Sequence, residues 1–213
     1  MSDPILYSFR RCPYAIRARM ALQITGLKTE LREIVLRDEA PEFLAVSPSQ
    51  TVPALVLGSQ VIDESLDIMK WALQQNDPRH WLDMPRDGHA LIAEADGPFK
   101  AALDRTKYAS RYSGEDKLVH RARAAEFLKH LDQRLQQGYL FGPNPTLADM
   151  AILPFVRQFA FIDKDWFDAQ DWPDLKRWLE AFLASGLFLA VMGKYPKWQA
   201  GDAATIFPAS ANI

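Results

Sequence analysis

Ile5-Leu6-Tyr7-Ser8-Phe9-Arg10-Arg11-Cys12-Pro13-Tyr14-Ala15-Ile16 is the stretch on which the fold turns. Ile5 to Phe9 is an apolar, β-prone run, and Ile16, Met20 and Ile24 then recur at helical spacing. Pro13 stands where a first-turn proline is tolerated, and Gly26 ends the pattern. A strand therefore runs through a tight turn straight into a helix. With a second strand over Glu30 to Leu36, the opening segment is a βαβ unit, with the right-handed crossover such units adopt.

Working outward, a loop with a short helical turn passes Pro41, Phe43, Leu44 and Pro48 before Thr51-Val52-Pro53 introduces a strand over Ala54 to Leu57. Gly58-Ser59 separates it from Gln60 to Ile62, and glycine at the first central position suits a type II′ hairpin. Asp63-Glu64-Ser65 follows, placed to cap a helix on Leu66, Met69, Ala72 and Leu73. The order is βαβ, then ββα. After Asn76-Asp77-Pro78 strand signals stop, and helices are expected at about 87–110, 114–137, 147–161 and 173–184. The reading is an α/β domain at 1–78, a linker at about 79–85 and an all-α domain at 86–213. Its tail from Tyr195 to Ile213 has no periodicity and reads as an irregular strap.

Composition narrows the function. The 213 residues carry a formal charge of -2, with no basic field to gather a nucleic-acid backbone. Met1-Ser2-Asp3-Pro4 does not open an export signal and no apolar run reaches membrane-spanning length, so a cytoplasmic protein is expected. A single cysteine leaves no internal disulfide and no multi-thiolate metal site. His80, His89, His120 and His130 are too scattered for a metal-ligand pattern.

That one cysteine is the sharpest feature. A lone cysteine is commonly a small buried apolar residue. Cys12, however, lies in a polar turn at a helix N-terminus, where backbone N–H groups and the helix dipole favour thiolate, and Arg10, Arg11 and Arg17 add positive potential. Val52-Pro53 admits two readings. An ordinary trans proline can start the strand, or a cis bond can turn the Val52 N–H and C=O outward to pair with an extended peptide. Glu64-Ser65 also reads in two ways, as a plain helix cap or as a grip on an amino acid zwitterion, Ser65 at the carboxylate and Glu64 at the ammonium. Thr146-Leu147-Ala148-Asp149 reads as a structural capping box, and Pro154 as a kink in the same helix.

Cys12-Pro13-Tyr14-Ala15 with Arg17 and Arg19, the Val52-Pro53 pair, and Glu64-Ser65 opening a helix, all in βαβ-ββα order ahead of a helical domain, resemble the glutathione transferase superfamily. Within it they are most similar to the cysteine-type omega and glutaredoxin-like members. The resemblance covers nearly the whole chain and implies a thioredoxin-like first domain. It implies that Cys12 meets the glutathione sulfur beside Tyr14, that Val52 pairs with the cysteinyl backbone ahead of cis Pro53, and that Glu64 and Ser65 hold the γ-glutamyl end. Tyr108 and Tyr112 are the implied electrophile-facing residues, and Trp166, Phe167, Trp172 and Trp178 are core. Glutathione is the implied co-substrate, with no metal and a homodimer as the assembly.

Two departures stand out. Glu39 takes the place of the omega-type lysine that meets the glycyl carboxylate, leaving Arg37 to substitute, and Ser47-Pro48-Ser49-Gln50 replaces a Ser-Pro-Lys-Gly pattern. The expected chemistry is monothiol transfer, since Ala15 occupies the place of a second cysteine. Weak conjugation through the nearby Tyr7 or Ser8, a non-catalytic binding protein on the same scaffold, and a metal-cluster carrier using Cys12 are the competing readings.

Overall fold

The computed structural model describes residues 3–47 and 49–209; Met1, Ser2, Pro48 and the final residues of the strap lie outside them. The chain divides into two compact units, residues 1–80 with 184–213, and residues 81–183.

The first unit begins with β1 (Ile5–Ser8), which enters α1 (Pro13–Thr25) through a turn closed by the Cys12 N–H on the Phe9 carbonyl at 2.9 Å. Pro13 opens α1, and Gly26 closes it at φ +73°, a left-handed conformation that glycine adopts without Cβ strain. Next come β2 (Thr29–Glu33), α2 (Pro41–Val46), β3 (Ala54–Leu57), β4 (Gln60–Ile62) and α3 (Ser65–Gln75). β1 pairs parallel with β2, setting Tyr7 beside Arg32, and antiparallel with β3, setting Leu6 beside Leu55. β3 and β4 form the expected hairpin. Gly58 alone of its two turn residues has positive φ, the mark of a type II′ turn. β2 ends earlier than expected, because the chain reverses at Val35–Asp38, where the Asp38 N–H donates to the Val35 carbonyl at 2.8 Å.

The second unit is helical. The long helix expected at 87–110 is instead α4 (Arg86–Glu94), a widened π turn at Ala95–Phe99, and α5 (Lys100–Lys107). Pro98 lies inside that turn and lacks the N–H that a regular ladder requires. α6 (Lys117–Arg134) starts where Asp116 accepts the Leu118 N–H at 2.8 Å. α7 (Leu147–Ala160) carries Pro154 and is almost wholly buried. A short helix absent from the sequence reading, α8 (Lys164–Asp168), is capped by Asp163 and precedes α9 (Pro173–Ala184). Phe99, Phe127 and Phe159 stack at the centre, with Phe167, Trp172 and Trp178 buried as expected. Trp166 is half-exposed and meets Trp172 edge-on. No helix among the described residues is long and apolar enough to cross a membrane.

The remaining chain corrects the expected division at 86–213. α10 (Gly186–Val191), also unforeseen, packs on α1, and β5 (Ile206–Phe207) pairs antiparallel with β2. The strap therefore belongs to the first unit, whose sheet runs β4-β3-β1-β2-β5. Between them Trp198 is buried in a cluster with Tyr7, Phe43, Val52 and Ala54, against which Cys12 packs.

Candidate functional site

Cys12 is the N-cap residue of α1, with extended φ and ψ, and it is partly exposed. Its thiol donates to the Val52 carbonyl at 3.6 Å, and the peptide bond that follows, Val52–Pro53, is cis. The turn before β3 is thus laid against the head of α1. Val52 and Pro53 are buried, so this backbone is held by the core beneath it. A sulfur at the head of a helix lies at the positive end of the peptide dipoles, where anionic sulfur is favoured.

Next to this pair, the head of α3 is joined to α1 through Arg17, which is buried with 1% of its surface exposed. Its Nη1 donates to the Ser65 Oγ at 3.5 Å, and its guanidinium lies 5.7 Å from the centre of the half-buried Tyr14 ring. Ser65 does not cap the helix as expected. Glu64 is the N-cap and Ser65 the first helical residue, and the Glu64 side chain is exposed and accepts no capping hydrogen bond. A carboxylate approaching Ser65 would meet a cation that the sequence had assigned to Cys12.

Arg37 is not gathered into this group. It stands exposed on the Val35–Asp38 turn. Glu39 follows half-buried, while the neighbouring Asp38 is paired with Lys197. Tyr108 and Tyr112 belong to the helical unit. Tyr108 ends α5 with the Lys107 ammonium 5.0 Å and the Arg111 guanidinium 4.5 Å from its ring centre, and Tyr112 lies under Arg105 at 5.0 Å.

Tyr7 and Ser8 have other partners than a ligand thiol. The Tyr7 hydroxyl accepts from Arg32 Nη1 at 2.7 Å, and Ser8 Oγ accepts from Arg19 Nε at 2.8 Å. Arg19 heads a network that the sequence reading missed. It is fully buried, forms an ion pair with Glu33, donates to the Val191 carbonyl at 3.2 Å and lies 5.7 Å from the Tyr195 ring. Burial pulls its pKa below the ordinary arginine value, and the Glu33 carboxylate opposes that shift. Only the pairing of a buried cation with the acid ending β2 could have signalled it. The four expected histidines and the acids around them supply no cluster of three metal ligands among the described residues.

A cavity of about 900 Å³ opens within the helical unit against Phe99, Phe127 and Arg123. On its rim one Glu115 carboxylate oxygen lies 3.0 Å from Arg105 Nε and 2.6 Å from His120 Nε2.

Comparison with known proteins identifies the family. The family model for the glutathione S-transferase N-terminal domain matches residues 6–80, and that for the C-terminal domain matches residues 80–181. The chain is 31% identical over 170 residues to a maleylpyruvate isomerase from Ralstonia sp, covering 71% of this chain and 80% of that one. It is 28% identical over 193 residues to a zeta-class glutathione S-transferase from Euphorbia esula, covering 83% and 84%. Among solved structures, the glutathione transferase URE2P6 from Phanerochaete chrysosporium in complex with oxidized glutathione superposes with a TM-score of 0.75 at 20% identity, over 89% of this chain and 94% of that one. The chain belongs to the glutathione S-transferase family.

Proposed function

We propose that this protein is a cysteine-type glutathione-dependent thiol-transfer enzyme. The observation that carries the reading is the Cys12 sulfur at the head of α1, 3.6 Å from the carbonyl that precedes cis Pro53. In the first step the Cys12 thiolate attacks the glutathionyl sulfur of a mixed disulfide. A Cys12–glutathione disulfide forms, the substrate sulfur–sulfur bond breaks, and the leaving thiolate takes a proton from water. A second glutathione thiolate then attacks that disulfide, releasing oxidised glutathione and restoring the Cys12 thiolate. Ala15, where a resolving cysteine would stand, leaves this monothiol cycle as the one available.

Glutathione would lie extended along Val52, with its cysteinyl backbone on the Val52 N–H and C=O. Its γ-glutamyl carboxylate would meet Ser65 and Arg17, and its ammonium Glu64. Arg37 is the proposed partner of the glycyl carboxylate, Tyr14 flanks the sulfur, and Tyr108 and Tyr112 face the second substrate. A cytoplasmic homodimer completes the proposal.

The similarity to the Ralstonia isomerase favours a second reading. There the glutathione sulfur adds to a carbon–carbon double bond, the single bond so formed allows rotation, and elimination returns glutathione, with no net redox change. One experiment separates the two: reduction of β-hydroxyethyl disulfide by glutathione, and isomerisation of maleylpyruvate, for wild type, Cys12→Ser and Cys12→Ala. Mass spectrometry after incubation with oxidised glutathione accompanies it. Thiol transfer requires disulfide turnover and a single glutathione adduct, both lost in the variants. Isomerisation that survives in Cys12→Ser, without an adduct in wild type, favours the second reading. If neither reaction nor adduct occurs and glutathione fails to raise the melting temperature, both fall and a non-catalytic binding protein remains.

A further inference from the structure

The turn that carries Cys12 is held from beneath by an acid on a different strand. Glu33, at the end of β2 and 7% exposed, accepts the Arg10 N–H on Oε1 at 2.6 Å, while its Oε2 is paired with Arg19. Arg19 in turn donates to Ser8 Oγ at 2.8 Å. The pair thus grips residues 8 and 10, on either side of Phe9, whose carbonyl accepts the Cys12 N–H. The same two residues hold the returning chain: Arg19 bonds the Val191 carbonyl and faces the Tyr195 ring, and the Glu33 carbonyl accepts the Trp198 N–H at 2.9 Å.

We propose that Glu33 is a positioning residue for Cys12, fixing the Phe9–Cys12 turn through the Arg10 N–H and tying its geometry to residues 191–198. The proposal rests on Cys12 being the reacting thiol. Glu33 touches no substrate in this scheme and acts through the turn alone. The charged group paired with it is Arg19, which itself feels the charges of Arg10 and Tyr195.

Because the chain has a single cysteine, alkylation by iodoacetamide reports Cys12 without interference and without glutathione. The pH profile of that alkylation is compared for wild type, Glu33→Gln and Glu33→Ala. Both variants remove the charge, but glutamine keeps an oxygen for the Arg10 N–H. Positioning requires that Glu33→Ala raise the alkylation midpoint toward the value of an ordinary thiol, about 8.5. Where disulfide exchange turns over, its kcat should fall by about tenfold with KM for glutathione unchanged, and Glu33→Gln should restore most of whatever the alanine variant loses. A folded Glu33→Ala with the wild-type profile overturns the proposal, as does an equal shift in the two variants, which would mark a charge effect.

Should Glu33→Ala fail to fold, amide exchange of Arg10 in Glu33→Gln decides: wild-type protection supports the proposal, and exchange as fast as an open turn overturns it. The alkylation split also separates this proposal from the thiol-transfer reading. A split without any turnover leaves positioning standing and sinks thiol transfer, whereas turnover without a split does the reverse.

Discussion

Replacing Asp149 tests how the helical unit is held. Its carboxylate is fully buried at the third position of α7, where Oδ1 accepts the Leu140 N–H at 3.0 Å and Oδ2 accepts the Thr146 N–H at 2.8 Å and the Thr146 hydroxyl at 2.9 Å. Asp149→Ala breaks the capping box and so leaves the Thr146 N–H, together with the Leu140 N–H, buried without an acceptor, each costing about 1–3 kcal/mol. Alanine's better helix propensity returns about 0.5 kcal/mol. The expected loss is about 3 kcal/mol. Asp149→Asn keeps one acceptor oxygen but points an amide at donors, for about half that cost.

The two variants also differ from wild type in pH dependence. Burial holds the Asp149 carboxyl above its ordinary 3.8, against the pull of the hydrogen bonds. The native state then binds the proton more tightly than the unfolded chain, so this group's contribution is full at low pH. It declines as pH rises from about 3.8 through the raised value. Urea unfolding followed by tryptophan fluorescence across that range should show the wild-type advantage over Asp149→Asn shrinking as pH increases. A loss below about 1 kcal/mol for Asp149→Ala, or an advantage that grows with pH, would refute the reasoning.

Three further outcomes are expected. Tyr7→Phe removes the acceptor for Arg32, which retains Glu30 at 2.7 Å and the Trp198 ring at 4.2 Å, so denaturant unfolding should show a loss of about 1 kcal/mol while disulfide turnover stays at the wild-type level. Ser65→Ala should raise KM for glutathione by about tenfold, the effect of about 1.4 kcal/mol, and leave Cys12 alkylation in the absence of glutathione unchanged. Gly58→Ala should cost about 1–2 kcal/mol in unfolding experiments through backbone strain alone, because a Cβ at φ +62° meets no atom within 4 Å.

Strands and turns were legible where residue chemistry is local. β3 and β4 and their II′ turn follow from glycine between two apolar runs, and the Thr146–Asp149 box from its spacing. Short elements without a turn signal beside them were not legible: α8, α10 and β5 are too short to establish a period, and β5 exists because β2 presents an open edge. At the site, the Cys12 turn was readable from its place in the order of elements, whereas the residues around Val52–Pro53 left trans and cis open and the cis form came only with the family resemblance. Partnerships across elements were not. Arg17 and Arg19 sit on one helix with similar neighbours in sequence, yet one reaches Ser65 and the other Glu33, a choice set by which face each presents to the sheet or to α3. Ser65 gave up the N-cap place to Glu64 for a related reason: both can begin a helix, and a one-residue shift decides which side chain is exposed.

The return of residues 184–209 to the sheet bears on how this protein emerges during synthesis. A ribosome releases the first eighty residues with the outer edge of β2 still uncovered, and Arg19 has not yet met Val191 or Tyr195. The helical residues 81–183 come next, a self-contained span that can complete its core while the earlier sheet waits. Only when Trp198 and Phe207 are translated can the first unit close. An expression fragment cut near residue 183 would therefore carry all the residues proposed to bind glutathione and lack the wall behind them.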